Sequence, residues 1–498
     1  MESLWSKKKT IVALTLSVLT LVALINVTIV SVALPYVMGS IGANSTQASW
    51  IMSGYIIAAT VCMPLTGVIA KLLGRKRAIL LCCIILAITS ILCGQSTSLS
   101  EIMTFRIIQG IGGAFVPSLT MGYIIETFND EERPKIISIY TLMIIAGPSL
   151  APILGGFITQ ELSWRWIFYL STPFCIICFA ILAKYMKESK REPIKIDYIS
   201  FFFLCMAIGS IEFFINDGNN NNWFGSRVVT ISLIIGIIFL VFFIWRSMLG
   251  KSIIDFRIFK YKNFLLACIL LVSYMCIVYS VVCYFPLFLE KSYNFPVETA
   301  GLAVAPRGLV GILLTPFLAK LCKKFNCKHL LIVSILCFCL SGYFLSRLSP
   351  GASIIYLLPP ILLQGVAFAL FFMPMMLLAY HKFPKELSDQ AGGVYNFFQM
   401  LGSSFGAALG AILITHMNQL NWNSIAGYIS PYNINYKIWM QNCSAEIASH
   451  TRTILASSIV ENCSHFLTYI DLFYFVMIAC AIVAIIPLFL NKIDKHTV

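Results

Sequence analysis

Long apolar stretches dominate the chain, and short polar or basic segments separate them. Because roughly 20 apolar residues cross the hydrocarbon core of a bilayer as a helix, the pattern predicts fourteen membrane-spanning helices. Their approximate bounds are 11–35, 48–70, 78–95, 101–125, 136–159, 165–183, 197–216, 228–246, 264–288, 298–319, 329–347, 353–380, 393–416 and 467–490. The first stretch is too long for a cleavable signal peptide and runs to Pro35 without a small-residue cleavage site, so we interpret it as span 1.

Composition excludes a soluble globular protein. Of the 498 residues, 59% are hydrophobic and only 11% are charged, whereas charged residues make up about a quarter of a typical soluble domain. We therefore expect an all-α, polytopic membrane protein. The net charge of +14 favours contact with the anionic headgroups of membrane lipids over binding of nucleic acid.

Basic residues fall on alternate loops, and such residues are retained on the cytoplasmic side of short loops. If Lys7, Lys8 and Lys9 are inside, an even number of spans makes both termini cytoplasmic. The other basic residues assigned to the inner side are Lys71, Arg75, Lys76, Arg77, Arg133, Lys135, the clusters at 184–195 and 246–262, Lys320, Lys323, Lys324, Lys328, Lys382, Lys385, Lys492 and Lys495.

An eight-residue pattern occurs twice. Leu-Thr-Gly-Val-Ile-Ala-Lys-Leu at 65–72 returns as Leu-Thr-Pro-Phe-Leu-Ala-Lys-Leu at 314–321, half a chain later, and a basic cluster follows each copy. The repeat pairs spans 1–6 with spans 9–14 as parallel halves. It predicts one six-helix bundle at 1–190, two inserted spans at 191–250 and a second bundle at 251–498, which carries a long outer loop at about 417–466.

Span 5 contains the segment Gly147-Pro148-Ser149-Leu150-Ala151-Pro152-Ile153-Leu154-Gly155-Gly156. Two prolines and three glycines are tolerated within a membrane helix that packs closely against its neighbours. This segment resembles the fifth-span signature of antiporters in the major facilitator superfamily. Further motifs resemble the fourteen-span drug:proton antiporters of that superfamily, in the same order along the chain: 25–35, 67–76, 106–113, 164–168, 301–308, 364–365 and 396–402.

The resemblance implies a fold of two six-helix bundles with two inserted helices, in which the halves rock about a site at their interface. It also implies export of amphiphilic or lipophilic compounds coupled to protons and, in a Gram-negative bacterium, residence in the inner membrane with a periplasmic adaptor. An uncoupled carrier and a non-transporting sensor or scaffold on the same fold stay open as alternatives. Spans rich in Phe, Met and Tyr suit a large apolar pocket, and they equally suit surfaces that face lipid.

Two groups of residues are candidates for conformational switching. The first is the loop between spans 2 and 3, where basic residues follow a glycine turn and where the superfamily usually has Asp in place of Lys71; a simple topology anchor explains the same residues. The second is the glycine-proline segment of span 5. The candidates are Gly67, Lys71, Gly74, Arg75 and Lys76, with Gly147, Pro148, Pro152, Gly155 and Gly156.

Polar residues within the spans are candidates for substrate binding or proton coupling. Arg106 lies within an apolar span, so we expect it to face the bundle interior or to snorkel to the surface, and Gln109 shares its face. By resemblance, Asn26 replaces an aspartate, Asn216 replaces an acid near the outer end of span 7, and Gln399, which follows the motif residue Asn396, replaces an arginine. Asparagine and glutamine cannot ionise, so the resemblance predicts altered coupling or a different substrate charge.

Glu212 is the acidic residue that sits deepest within an apolar span. A carboxylate there can carry a proton, although plain structural polarity is the alternative, and span 7 lies outside the two predicted bundles. Asp471 and Glu290, near the outer ends of spans 14 and 9, are weaker candidates for the same role.

Cysteine usage predicts no metal centre. Most of the 17 cysteines lie in apolar spans and serve as small hydrophobic residues. Cys443 and Cys463, in the predicted outer loop beside a predicted amphipathic helix at about 445–460, are a candidate disulfide if the outside is oxidising. The sequence has no metal-ligand spacing, phosphate-binding glycine loop or nucleophile elbow, so we expect neither a cofactor nor an enzyme activity nor ATP as an energy source.

Overall fold

The computed structural model describes residues 2–43, 45–129, 131–189, 191, 197–218, 223–249, 254, 256–293, 295–381, 383–430, 432–442 and 449–490. Regular structure within these ranges is helical, and fourteen of the helices are long and apolar enough to cross a membrane. The chain is therefore a multi-pass integral membrane protein, and the predicted all-α fold is confirmed.

The fourteen spans form two sets of six and an inserted pair. The N-terminal half consists of Lys7–Thr28, Trp50–Leu73, Arg75–Gln95, Leu99–Thr127, Arg133–Glu161 and Trp166–Tyr185, numbered spans 1 to 6. Spans 7 and 8 are Tyr198–Ile215 and Arg227–Met248. The C-terminal half consists of Lys262–Tyr293, Thr299–Lys324, Cys327–Ser346, Ile355–Ala379, Ser388–Ala426 and Leu455–Phe489, numbered spans 9 to 14. Two shorter helices, Val30–Ile41 and Ile434–Asn442, lie between spans.

Packing within the N-terminal half recurs in the C-terminal half. Span 1 packs against spans 4, 5 and 6, and span 9 packs in the same way against spans 12, 13 and 14. Span 2 packs on span 4 as span 10 packs on span 12, while span 3 contacts spans 4 and 6 as span 11 contacts spans 12 and 14. The eight-residue repeat thus marks an architectural repeat with an offset of eight spans, because each copy ends the second helix of its half.

Glycines set the distance between equivalent helix pairs. On span 13, Gly402, Gly406 and Gly410 lie four residues apart and share one face. A Cβ atom added to Gly406 would lie 2.3 Å from the carbonyl oxygen of Cys276 on span 9. A Cβ atom added to Gly147 of span 5 would lie 2.9 Å from Leu24 Cβ of span 1. Small residues permit such close approach of membrane helices.

Spans 7 and 8 form a hairpin at the seam between the halves. Span 7 packs on span 8, on span 2 of the N-terminal half and on span 13 of the C-terminal half. Trp50 of span 2 and Phe213 of span 7 stack with ring centroids 5.2 Å apart. The inserted hairpin therefore contacts both halves.

Basic residues from distant parts of the sequence meet at one end of the bundle. Lys9 pairs with Glu132 at 2.5 Å, Lys76 Nζ donates to the carbonyl oxygen of Ala183 at 2.7 Å, and Lys328 donates to the carbonyl oxygen of Leu488. This end, which holds Lys9, Lys76 and Lys328, is called the basic side below. The predicted clustering of these loops on one side agrees with the fold.

Three boundaries differ from the sequence-based prediction. Span 1 ends at Thr28, and a separate helix, Val30–Ile41, begins after a one-residue interruption at Ile29 and continues through Pro35. Span 13 continues as one helix to Ala426, ten residues beyond its predicted end, and span 14 belongs to a helix that begins at Ser449. Polar residues end the apolar pattern at the end of span 13 and before span 14, but they do not end the helices there.

The close glycine contacts generate a prediction about stability. We expect Gly406→Ala to lower the thermal unfolding temperature of the purified protein, because overpacking a tight contact costs about 1–3 kcal/mol. Gly209→Ala on span 7 is the control, since a Cβ atom there would meet nothing within 4 Å. Equal unfolding temperatures for the two variants would contradict the proposed role of Gly406.

Candidate functional site

A cavity lies between the two halves. Spans 1, 2, 4 and 5 form its wall on one side, and spans 9 and 13 form the other. The lining residues are Ala23, Leu24, Val27, Thr28, Tyr55, Ala59, Met63, Gly113, Pro117, Ile144, Pro148, Tyr279, Asn396, Gln399, Met400 and Ser403. This lining, taken from the described part of the chain, is mostly apolar and carries no ionisable acid or base other than tyrosine.

Two predicted residues of span 13 lie in this wall. Asn396 Nδ2 donates to Ser118 Oγ at 3.1 Å and to the carbonyl oxygen of Gly392 at 2.9 Å. Ser118 belongs to span 4, so this amide connects the halves. The Oε1 atom of Gln399 is buried and has no hydrogen-bond partner among the described residues. The cavity therefore offers an amide acceptor at Gln399.

Arg106 is fully buried behind the wall formed by Tyr55. Its guanidinium carbon lies 4.5 Å from the centroid of the Tyr55 ring. Nε donates to the carbonyl oxygen of Ile51 at 3.2 Å, and Nη1 donates to Gln109 Oε1 at 2.8 Å. Gln109 Nε2 in turn donates to Ser90 Oγ at 2.8 Å. Arg106 and Gln109 share a face as predicted, and the fully buried position excludes snorkelling.

Asn26 joins this network through its backbone. Arg106 Nη1 donates to the carbonyl oxygen of Asn26 at 3.0 Å, while Asn26 Oδ1 accepts from Ser171 Oγ at 2.8 Å. The contact between Asn26 and Arg106 therefore does not require an ionised side chain at position 26. An asparagine preserves this connection between spans 1 and 4.

Glu212 is almost fully buried on span 7. Its Oε2 atom accepts from Ser404 Oγ at 2.5 Å. Ser404 follows Ser403, which lines the cavity. The carboxylate thus lies behind the wall at span 13, where the inserted hairpin meets the C-terminal half. Asn216 lies on the last turn of the same helix, and its side chain is outside the described residues.

An ion-pair cluster joins the halves on the basic side. Arg75 Nε donates to Asp389 Oδ1 at 3.1 Å, and Arg75 Nη2 reaches Asp389 Oδ2 at 2.8 Å and Glu126 Oε2 at 2.6 Å. Arg75 and Glu126 belong to the N-terminal half, and Asp389 begins span 13. Lys71 also acts electrostatically on Asp389. We call Arg75, Glu126 and Asp389 the latch.

Glycines of the same region bring the backbones close to the latch. A Cβ atom at Gly122 would lie 1.8 Å from Asp389 Oδ1, and one at Gly67 would lie 2.7 Å from Gln390 Cβ. Gly74 begins span 3 with a φ of 81°, in the left-handed region that glycine favours. Lys76 donates to span 6. Gly67 and Arg75 therefore lie at the contact between the halves, whereas Gly74 and Lys76 lie against the end of span 6 and the segment that follows it.

The glycine-proline segment of span 5 is one continuous helix that faces both span 1 and the C-terminal half. Gly147 contacts span 1, while Gly155 lies against Ile29, just after span 1, and Gly156 lies near Val32. Pro148 lines the cavity, and Ser149 lies against Gly308 of span 10. Pro152 is partly buried on the same helix. The segment is therefore part of the interface about which the halves meet.

Sequence reasoning missed several partners in this site. Ser118, Ser171 and Ser404 are serines within apolar spans, and their sequence context gave no reason to single them out. Asp389 stood at the edge of a predicted span, where acidic residues are common. In the structure, Gly122 has no side chain and so leaves room for the carboxylate of Asp389. Cys443 lies outside the described residues, so the disulfide with Cys463 stays a prediction.

Comparison with known proteins identifies the family. Residues 16–407 match the model of the Major Facilitator Superfamily. The chain belongs to this superfamily. The chain is 27% identical over 430 residues to the multidrug export protein EmrB of Escherichia coli K12. This alignment covers 85% of this chain and 84% of the relative.

Two further comparisons agree with this membership. The lincomycin resistance protein LmrB of Listeria innocua is 26% identical over 414 residues, 82% of this chain and 87% of the relative. The structure of the major facilitator superfamily proton:xylose symporter XylE, bound to 6-bromo-6-deoxy-D-glucose, has a TM-score of 0.60 and 14% identity, with 98% of this chain and 97% of that chain covered. The last likeness shows the superfamily fold alone.

The latch generates a prediction about the contact between the halves. We expect Asp389→Asn to weaken this contact, because it removes the carboxylate that accepts two hydrogen bonds from Arg75. Hydrogen–deuterium exchange at the peptides around 66–77 and 385–393 should rise several-fold.

Asp197→Asn is the control for the exchange experiment. Asp197 also accepts two hydrogen bonds from an arginine, Arg246, and these bonds lower the pKa of Asp197. Because both residues belong to the inserted hairpin and its flank, we expect no change at 66–77 in this variant. An equal rise in both variants would contradict the latch.

Proposed function

We propose that this protein is a secondary active transporter that exports amphiphilic or lipophilic compounds by proton antiport through alternating access. Relatives named for multidrug export and lincomycin resistance support export of drug-like compounds. The observation that carries the proposal is the apolar cavity between two halves that the latch joins on one side. Alternating access requires a contact between the halves that closes one side of the membrane and breaks when the cavity opens to that side.

The basic side is the cytoplasmic side in this proposal, and both termini are cytoplasmic. The meeting of the basic loops at one end supports this orientation, because such residues are retained in the cytoplasm. The structure then corresponds to a transporter whose path to the cytoplasm is closed by the latch. The inner membrane as location and a periplasmic adaptor as partner come from the resemblance to EmrB.

Glu212 is the proton-carrying residue in this proposal. The cavity wall has no carboxylate among its described residues, and Asn26 cannot ionise. Glu212 contacts Ser404, and the adjacent Ser403 faces the cavity. Gain or loss of a proton on Glu212 would alter its hydrogen bond to span 13, which also carries Asn396, Gln399 and the latch residue Asp389. Arg106 and Gln109 hold the N-terminal half rigid in this scheme.

An uncoupled carrier is the second candidate, and Asn26 favours it. A non-transporting scaffold is the third, against which the cavity and the latch argue. Expression in a drug-sensitive host separates the transporter from the scaffold: a transporter lowers the accumulation of at least one lipophilic compound, and a scaffold changes none.

Proton flux tests the coupling. In vesicles that contain the purified protein, we expect addition of a transported lipophilic compound to cause proton movement in the wild type. Glu212→Gln should abolish this movement at unchanged expression, and Ser404→Ala should reduce it. Asp471→Asn tests the weaker candidate and should leave the proton movement unchanged, because Asp471 accepts from Asn421 at 2.9 Å within the C-terminal half and is not among the residues that line the cavity.

Two outcomes would change the assignment. Unchanged proton flux in Glu212→Gln would remove Glu212 from the mechanism. Absence of proton flux in the wild type together with proton flux in Asn26→Asp would mean that the asparagine has uncoupled the transporter. This result would support the second candidate.

A further inference from the structure

Arg106 of span 4 carries a positive charge that is buried among neutral groups. The residue is fully buried, and within the part of the chain that the structure describes no carboxylate forms an ion pair with it. Three of the five N–H donors of its guanidinium are used: they donate to the carbonyl oxygens of Ile51 and Asn26 and to Oε1 of Gln109. All three acceptors are uncharged amide oxygens. The charge is therefore hydrogen-bonded but not neutralised.

The surroundings of the guanidinium offset only part of this charge. Its carbon atom lies 4.5 Å from the centroid of the Tyr55 ring and 6.0 Å from that of the Phe168 ring, and aromatic rings attract cations. Asn26 lies in the last turn of span 1, where a helix carries a partial negative charge of roughly half an elementary charge. Neither contribution is a full counter-charge, and removing an ion from water is costly.

Two buried nitrogen atoms of this cluster have hydrogen atoms to donate and no acceptor. They are Nη2 of Arg106 and Nδ2 of Asn26, and neither has a hydrogen-bond partner among the described residues. Asn26 is also fully buried, and its Oδ1 atom already accepts from Ser171 Oγ at 2.8 Å. Because buried polar groups are normally paired, the cluster has a surplus of donors beside a surplus of positive charge.

This double surplus matches a small anion better than a water molecule. A buried water molecule makes about three hydrogen bonds, and its own O–H groups require acceptors, whereas the unpaired nitrogen atoms here are donors. Chloride donates no hydrogen bond, accepts several and supplies the negative charge that a buried cation needs. Full burial of Arg106 and Asn26 favours a monatomic ion over a larger anion.

We propose that Arg106 and Asn26 form a chloride site between spans 4 and 1, in which the ion is a structural counter-ion of the N-terminal half. Span 4 begins at Leu99, at the end opposite the latch, so Arg106 lies about 10 Å from that end of the helix. Chloride enters from this side. The site is independent of the exported substrate, because it lies behind Tyr55 and outside the lining of the cavity.

Chloride binding to the purified full-length protein in neutral detergent tests the inference. After exchange into a gluconate buffer, chloride is added at constant ionic strength while the thermal unfolding temperature is measured. We expect this temperature to rise with chloride concentration, because a ligand that binds only the folded state stabilises it. Binding of radiolabelled chloride at equilibrium should saturate at one ion per chain.

Two variants place a carboxylate in the cluster and should replace the ion. Asn26→Asp keeps an oxygen for Ser171, and Gln109→Glu keeps the oxygen that accepts from Arg106. In both variants the carboxylate neutralises the guanidinium and repels an anion, so we expect chloride affinity to fall by roughly tenfold or more. The unfolding temperature of Asn26→Asp in gluconate should exceed that of the wild type in gluconate.

Asn418→Asp is the matched control. Asn418 Oδ1 accepts from Ser464 Oγ at 2.9 Å, as Asn26 Oδ1 accepts from Ser171 Oγ, but Asn418 lies on span 13 and contacts span 14. This variant adds the same negative charge far from Arg106 and should bind chloride like the wild type.

The inference is overturned if the unfolding temperature of the wild type does not depend on chloride, because the rings and carbonyl groups would then suffice for Arg106. It is also overturned if Asn26→Asp binds chloride as tightly as the wild type and Asn418→Asp, since the ion would then lie elsewhere. Either result leaves the proposed exporter intact, because that proposal is judged by proton flux and drug accumulation.

Discussion

No water reaches the hydrocarbon core of a bilayer, so each charge and polar group that enters it must find its partners within the protein. Arg106 shows how far this constraint reaches. Its contacts join spans 1, 2 and 4, and through Asn26 and Ser171 they extend to span 6. Through Gln109 and Ser90 the network also reaches span 3, so it joins five of the six helices of the N-terminal half.

The same constraint shapes the polar contacts between the halves. Within each half, glycine faces let helices approach to backbone contact, as Gly406 does against span 9. Between the halves, polar groups meet at discrete points: Asn396 with Ser118, Ser138 with the carbonyl oxygen of Thr315, and Asp389 with Arg75. Span 5 also packs closely on span 10, where Gly308 lies against Ser149, so a rocking motion has to separate closely packed helices as well as these polar pairs.

The span pattern, the half-chain repeat and the buried face shared by Arg106 and Gln109 could be predicted from the sequence, because hydrophobic length and helical spacing are local properties. The partners could not. Asp389 lies 314 residues from Arg75, Ser404 lies 192 residues from Glu212, and no periodicity in one helix shows which distant helix faces it. Helix ends were also misplaced at Ala426, since polarity ends an apolar span but only proline, glycine or a cap ends a helix.

Span 13 has a mechanical consequence beyond the membrane. Its helix is 39 residues long, about 58 Å at 1.5 Å per residue, whereas the hydrocarbon core is about 30 Å thick. The latch lies at one end of this helix. The opposite end extends beyond the hydrocarbon core, and there Asn418 and Asn421 connect it to span 14. A tilt of this helix by about 10° about a point near the bilayer centre would displace the end at Ala426 by about 7 Å. A change in the latch on one side of the membrane would thereby move the far end of span 13 by a larger distance on the other side.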